Sequence, residues 1–407
     1  TDDGNGGSFE KQLIINILDE TAETKTWNGT SWDFGRPLPT ENAIIAGNFT
    51  GGSFGCNDLL VNSGVTLTME LHDALFVNGD LTNNGSIIIE SGASILTYEA
   101  NTFTGNDITI NRTTPHANGR YSFVGSPVEQ DPSMTGSDLG SLVYKYDESV
   151  SYGADDGLMR WLNASSEELI PAKGYAQAFK KELVFEGIPN TGDITYSGTY
   201  TEDILDENEG WNIVSNPYAT PIRISNFLTE NTNIEGAVYF WDDNGSETVR
   251  GTNADYAVAN AIGLVQNSQA MSLDDAFIHI STAQGFFVKL TNNIDTDINF
   301  TESMRAIDDQ NNESFFRTSP SATFRINLKD DKGLFKQTLI GIAEDASNVD
   351  FNRLYDAPVF NNTADYSIYS VKQQKPLSIQ GISSGWEIVT LGFNVAEAGE
   401  FDIVLGD

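Results

Sequence analysis

Apolar and polar residues alternate along 59–96, and short polar turns interrupt this alternation. The turns read NSG, NGD, NNG and ESG and recur at intervals of roughly 15 residues. Between them, the apolar side chains fall on one face of successive strands: Leu59, Val61, Val65, Leu67, Met69, Leu75, Val77, Leu81, Ile87 and Ile89. The pattern predicts a β-solenoid over 1–115, although an antiparallel meander would alternate similarly. The aromatic segment 26–40 is predicted to cap its first rung.

The middle of the chain contains an internal repeat. Four pairs of segments match in the same order: RYSFVGSPVEQ (120–130) with GWNIVSNPYATP (210–221), VYKYDE (143–148) with VYFWDD (238–243), AKGYAQA (172–178) with AQGFFVK (283–289), and LVFEG (183–187) with DINFTE (297–302). Ordered matches of this kind indicate a duplication. We therefore predict two related β-sandwich units, 116–200 and 201–310, packed as separate sandwiches or as two halves of one larger domain.

A third region begins after the polar linker 308–314. Its strand-sized segments alternate cleanly, as in FRINLKD and FKQTLIGIAE, which is typical of an antiparallel sheet with one buried face. We predict a C-terminal β-sandwich or jelly roll over 318–407. The whole chain is thus predicted to be all-β: a short N-terminal β-solenoid, duplicated β-sandwich units and a C-terminal β-sandwich.

The charge balance restricts the possible partners. The chain has 22 basic and 58 acidic residues, a formal net charge of -36. Such a surface repels nucleic-acid backbones and anionic membranes and attracts cations such as Ca²⁺, although solubility in salty surroundings explains most of these carboxylates equally well. A single cysteine, Cys56, excludes an intramolecular disulfide framework. No apolar run is long enough to span a membrane, and no signal peptide is visible at the first residue, so we expect a cytoplasmic, mature or trimmed form.

Candidate binding chemistry is concentrated in the duplicated units. Each repeated aromatic strand leads into an acidic loop, 147–157 and 242–255, whose oxygen ligands would suit Ca²⁺. The candidate metal ligands are Asp147, Asp155, Asp156, Asp242, Asp243, Asn244 and Glu247. The alternative is a pair of solvated acidic turns, and the spacing does not match an EF-hand. Trp161, with Tyr152 nearby in sequence, is the candidate for stacking on a sugar, or else packs over the sandwich edge.

A catalytic constellation is not evident in the sequence. No serine lies in a G-x-S-x-G elbow, and the three histidines are scattered. Acidic pairs for glycoside hydrolysis remain open because their separation cannot be read from sequence. We therefore predict no catalytic residues.

Several segments carry a family resemblance. TWNGTSWDFGRP, LFVNGDLTNNGSI, GWNIVSNPYATPI, ISTAQGFFVKL and LYDAPVFNNTADYSIYSVKQQKPLSIQGI resemble large surface proteins of Bacteroidetes that the type IX secretion system exports, in the same order and over nearly the whole chain. The resemblance implies export through that machinery to the cell surface, and it provides no catalytic residues to transfer. Proteins of this kind carry a signal peptide and a C-terminal sorting domain, so we expect a trimmed form. The predicted function is a non-enzymatic adhesin or interaction protein, and the alternative is a carbohydrate-binding or polysaccharide-degrading β-helix protein.

Overall fold

The fold is described from a computed structural model, which defines residues 23–114, 120–150, 160–202, 209–241, 256–266, 279–306, 322–360, 365–385 and 388–406. Strands dominate these residues, with two short α-helices and one 3₁₀ turn among them. The predicted all-β class is confirmed. No helix in the described residues is long and apolar enough to cross a membrane.

The N-terminal region is a parallel β-solenoid of three sheets. Its strands are β1 (Thr24–Trp27), β2 (Asn42–Ile45), β3 (Phe49–Thr50), β4 (Phe54–Cys56), β5 (Leu59–Val61), β6 (Thr66–Met69), β7 (Ala74–Val77), β8 (Leu81–Asn83), β9 (Ser86–Ile89), β10 (Ser94–Leu96), β11 (Phe103–Gly105) and β12 (Ile108–Thr113). The sheets have the orders β1-β2-β5-β8-β11, β4-β7-β10 and β3-β6-β9-β12. Their parallel pairing confirms the solenoid and excludes the antiparallel meander.

Similar residues stack from one rung to the next. Leu59 pairs with Leu81, so a rung spans 22 residues there, longer than the turn spacing suggested. Side chains at equivalent rung positions also accept hydrogen bonds from the backbone of the next rung. Asp58 Oδ1 accepts the amide hydrogen of Asp80 at 2.9 Å, and Asp80 Oδ1 accepts that of Thr102 at 2.8 Å. These bonds fix the vertical register of the rungs in addition to the apolar stack.

Both ends of the solenoid are covered. At the first rung, Trp27 and Trp32 pack against Phe49, at ring-centroid distances of 5.1 and 6.0 Å, as expected for a cap within 26–40. At the last rung, β17 (Glu182–Gly187) pairs antiparallel with β12. This strand lies within the predicted first unit but extends the solenoid sheet instead, since alternation alone does not specify which sheet a strand joins.

The two repeated units form sheets of the same order. The first runs β13 (Tyr121–Val124), β16 (Tyr175–Ala178), β14 (Leu142–Tyr146) and β15 (Trp161–Asn163). The second runs β19 (Trp211–Ser215), β25 (Gly285–Lys289), β21 (Val238–Trp241), β22 (Tyr256–Ala259) and β23 (Leu264–Val265). Each of the first four strands in one sheet thus matches its sequence-equivalent strand in the other. This correspondence is what a duplication of the sequence would produce.

Shorter elements connect these sheets to the rest of the chain. They are α1 (Gly136–Leu139), β18 (Ile194–Gly198), β20 (Ile222–Arg223), α2 (Ile224–Glu230), β24 (His279–Ile280), β26 (Thr296–Phe300) and the 3₁₀ turn Glu302–Met304. The 3₁₀ turn attaches the second unit to the solenoid. Arg305 Nη1 donates to the carbonyl of Thr97 at 2.5 Å, and Glu302 Oε1 accepts the amide hydrogen of Glu99 at 3.1 Å.

The two units also bond reciprocally to each other. The Gly125 amide donates to the Ala283 carbonyl at 3.0 Å, and the Ser215 amide donates to the Ala172 carbonyl at 2.9 Å. Gly125 is the sequence equivalent of Ser215, and Ala172 of Ala283, so the two bonds are related by the duplication. We call these four residues the reciprocal seam. It joins the two units to each other at equivalent positions.

The C-terminal region forms one curled sheet among the described residues. Its strands are β27 (Ala322–Lys329), β28 (Phe335–Ile342), β29 (Ala357–Pro358), β30 (Ser367–Lys372), β31 (Lys375–Ile382), β32 (Leu391–Asn394) and β33 (Asp402–Gly406). The order is β32-β30-β31-β28-β27-β33, with β29 also paired to β31. Leu339 and Ile379 on this sheet share a core with Tyr239 and Ile262 of the second unit. The second unit therefore supplies the layer that covers this face.

Candidate functional site

Two equivalent hairpins carry the acidic loops. In the hairpin β14–β15, Tyr146 lies opposite Trp161, and in the hairpin β21–β22, Trp241 lies opposite Tyr256. Among the described residues, each of these two residue pairs is the one nearest to its acidic loop. The rings of each pair meet edge to face, with centroids 5.4 Å and 5.1 Å apart. The duplication has therefore preserved a cross-strand aromatic pair at the base of both loops.

Two phenylalanines bring these pairs together. Phe123 lies 5.7 Å from Trp161 and 5.9 Å from Trp241, and Phe287 packs against Phe123 at 5.5 Å. We call the six rings the aromatic cluster: Phe123, Tyr146, Trp161, Trp241, Tyr256 and Phe287. Phe123 and Phe287 are buried, whereas the four hairpin rings are half-buried. The hairpins of both units thus start from one continuous aromatic surface.

Trp161 is a packed member of this cluster. Its ring contacts Phe123, Tyr146 and Phe287 at centroid distances of 5.4 to 5.9 Å. Of the two interpretations of the sequence, packing at the edge of the unit matches these contacts, and stacking on a sugar would use only the exposed part of the ring. Tyr152, the other predicted ligand-binding residue, lies outside the described residues.

A buried ion pair lies beneath the first hairpin. Arg160 Nη1 is 2.7 Å from Glu148 Oε2, and both side chains are only 1% exposed. Arg160 also donates from Nε to the Val150 carbonyl at 3.0 Å. The other Glu148 oxygen accepts the amide hydrogen of Gly210 at 2.6 Å. The pair therefore closes the hairpin base and ties it to the start of β19 in the second unit.

Burial controls the protonation of this carboxyl. Desolvation raises the pKa of Glu148 to about 7, while the Gly210 amide and the Arg160 guanidinium act in the opposite direction. A carboxyl that titrates near neutrality in a structural ion pair makes the junction between the units sensitive to pH.

The predicted metal ligands are only partly within the described residues. Asp155, Asp156, Asp242, Asp243, Asn244 and Glu247 lie outside them. Asp147 is described, and its Oδ1 accepts hydrogen bonds from the Ser149 amide at 3.0 Å and the Ser149 hydroxyl at 2.6 Å. Within the described ranges, no three His, Cys, Asp or Glu side chains are grouped so as to hold a metal ion.

A polar groove of about 580 Å³ lies elsewhere, alongside β18 and β26. Many of its polar groups already bond to each other. Ser197 Oγ donates to Asp297 Oδ1 at 3.1 Å, and the Tyr200 amide donates to Asp295 Oδ1 at 2.7 Å. These bonds hold β18 to its partner strand, so the groove is a weaker candidate than the aromatic cluster.

Nearly the whole chain matches one protein family. Residues 28–407 match the domain of unknown function DUF8693. The chain belongs to this family. No curated protein and no solved structure matches it. The range that matches DUF8693 begins within the solenoid cap and continues through the duplicated units into the C-terminal sheet. The aromatic cluster and the reciprocal seam therefore both lie within this one family domain.

Sequence reasoning did not identify the pair Glu148–Arg160 in this DUF8693 member. A signal was present, because oppositely charged residues flank the same loop, one just after β14 and the other just before β15. Their contact depends on the register in which β14 pairs with β15, which the sequence pattern does not specify. The contact between the two aromatic pairs could not be predicted from the sequence either, since it depends on how the two units pack.

Proposed function

We propose that the chain is a non-enzymatic, exported protein that acts at the cell surface as an adhesin or interaction module. The observation that carries this proposal is a continuous core between the solenoid and the first unit. Ile110 and Phe185 of the solenoid share one buried cluster with Val128 and Tyr175. Such a core resists hinge motion between the solenoid and the first unit, and a rigid body of this kind suits adhesion.

Export through the type IX secretion system is the second part of the proposal. The support is the ordered resemblance to Bacteroidetes surface proteins, together with one buried cysteine that forms no disulfide and a net charge of -36. Low cysteine content suits an oxidising exterior. To test it, antibodies against the chain locate the native protein in the cells that produce it. Surface protease should cleave it in normal cells and spare it in cells lacking the secretion machinery.

The surface partner is proposed to be a glycan or a protein that binds to the two hairpins β14–β15 and β21–β22. Beads coated with the protein should adhere to a ligand-bearing surface, and Trp241→Ala should reduce adhesion. Trp27→Ala, at the solenoid cap, is the matched control and should leave adhesion unchanged. Equal adhesion by the native protein and both variants would contradict binding through the hairpins. Circular dichroism verifies that each variant is folded.

Carbohydrate binding is the second candidate, favoured by one observation. The four hairpin rings are half-buried, and the exposed parts of aromatic rings are suitable for stacking on sugars. A glycan array combined with a reducing-sugar assay tests this candidate. Saturable glycan binding that Trp161→Ala abolishes would support carbohydrate recognition, whereas release of reducing ends would establish an enzyme.

A further inference from the structure

The outer strand of the C-terminal sheet, β33, has one open edge. It pairs with β27 on one side, and no described strand pairs with its other side. Its central residues are apolar and exposed: Ile403 is 49% exposed, Val404 38% and Leu405 74%. Since side chains alternate along a strand, β33 is open on both faces as well as along its edge.

Among the residues that the structure describes, this edge lacks the usual protection against pairing. Edge strands are normally shielded by lysine, proline, a bulge or a covering segment. The segment Ile403–Gly406 contains neither lysine nor proline, and its register with β27 is regular. The opposite edge, β32, differs, because the ring of Tyr369 lies directly against Gly392 and covers one of its faces. Strand β33 is therefore the more open of the two edges.

We propose that two copies of the chain associate by antiparallel pairing of β33 with the same strand of the second copy, centred on Val404. In this register Ile403 lies opposite Leu405, Val404 opposite Val404, and Asp402 opposite Gly406. Apolar side chains thus meet apolar side chains, and no carboxylate faces another across the strands. The exposed Phe324 of β27 lies on the same face as Leu405 and extends the apolar row.

The symmetry of the contact and the charge of the chain determine how the proposed dimer should behave. A twofold axis through Val404 makes the contact isologous, so association stops at a dimer. One five-residue strand is a small interface, so the dimer is weak and reversible. Each copy carries a net charge of -36, so repulsion opposes association and salt screens it. Added NaCl should therefore strengthen the dimer, whereas it would weaken an interface built on ion pairs.

Disulfide trapping tests the register. Directly opposed residues in an antiparallel pair have Cα atoms about 4.5–5.5 Å apart, which is within reach of a disulfide. Val404→Cys should therefore form a covalent dimer under mild oxidation. In Asp402→Cys the two cysteines would be separated by four residues along the strand, about 14 Å, and should not cross-link. The native Cys56 is buried and gives no background. Equal cross-linking of both variants, or of neither, would overturn the proposal.

Light scattering coupled to size exclusion tests the interface in the native chain. The native protein should approach twice its mass of 44.4 kDa with rising concentration and salt. Leu405→Lys should raise the dimer dissociation constant by about tenfold or more, because it adds a charge to an apolar edge. Leu71→Lys alters another exposed leucine, on the solenoid, and should leave the dimer intact. Open-ended oligomers, a monomer at every concentration, or a dimer that Leu405→Lys leaves as strong as in the native protein would contradict it.

Discussion

Ala172 and Ala283 hold the same left-handed backbone conformation, and the carbonyl of each accepts a hydrogen bond from the opposite unit. Their φ angles are 64° and 57°, values that are uncommon for a residue with a side chain. Two equivalent residues have thus kept the same strained turn after duplication. The turn aims both carbonyls across the reciprocal seam, so the units stabilise each other.

The seam should be intolerant of added volume at Gly125. A Cβ atom there would collide with the Ser215 side chain and lie 2.8 Å from the Lys173 carbonyl. Gly125→Ala should therefore lower the free energy of unfolding by about 1–3 kcal/mol in urea denaturation. Adding Ser215→Gly should recover part of this loss, since it removes most of the collision. Gly399→Ala, where a Cβ atom meets nothing closer than 3.4 Å, is the control. A loss no greater than that of the control would contradict the close approach.

Glu148 should give the stability a distinct pH dependence. Its pKa is raised from 4.5 to about 7 in the folded protein, so folding favours the protonated carboxyl. The stability that this group contributes is fully present below pH 4.5 and is lost as the pH rises through about 7. We therefore expect the difference in melting temperature between the native protein and Glu148→Gln to change across that window. Melting curves recorded from pH 4 to pH 8 measure it, and a constant difference would refute the assignment.

The C-terminal sheet should depend on a second buried ion pair. Lys372 Nζ is 2.8 Å from Asp356 Oδ1, and these side chains are 2% and 0% exposed. Lys372→Met would leave Asp356 buried without a cation and should cost about 3–5 kcal/mol of unfolding free energy. Lys145→Met, which breaks the less buried pair with Glu167, should cost about 1 kcal/mol or less. Similar losses in both variants would mean that the buried pair adds nothing beyond a surface contact.

Calcium binding by the acidic loops remains a proposal with a simple thermal test. If Asp147 and its loop partners bind Ca²⁺ only in the folded protein, millimolar Ca²⁺ should raise the melting temperature by about 2 °C or more over EDTA. Asp147→Asn should reduce the shift, and Mg²⁺ at the same concentration controls for ionic strength. An identical midpoint in EDTA and in Ca²⁺ would eliminate a calcium site.

The parts of the fold that depend on local pattern were predictable. The buried lining of the solenoid, which includes Leu59 and Leu81, follows from the alternation of apolar residues, although the 22-residue rung does not follow from the turn spacing. The shared strand order of the two units follows from their repeated segments. Strand partners over long distances were not predictable. Strand β17 alternates as well as any other strand, yet it pairs with the solenoid, because alternation determines a buried face and not a neighbour.

The candidate site, too, was predictable only where it depends on local sequence pattern. Its aromatic strands and their equivalence could be read from VYKY and VYFW. Their meeting around Phe123 could not, since it results from packing between the units. The curled C-terminal sheet was likewise not predictable: β28 pairs in parallel with β31, although the alternation of FKQTLIGIAE is typical of an antiparallel sheet.

The central claim is that this protein binds at the cell surface without catalysis. The most direct measurement follows binding and product in the same samples, with the chain incubated over a panel of surface polysaccharides and proteins. The account predicts saturable retention on at least one ligand, with no new reducing or unsaturated sugar ends and no peptide release. Product that accumulates in proportion to time and to protein concentration would contradict it.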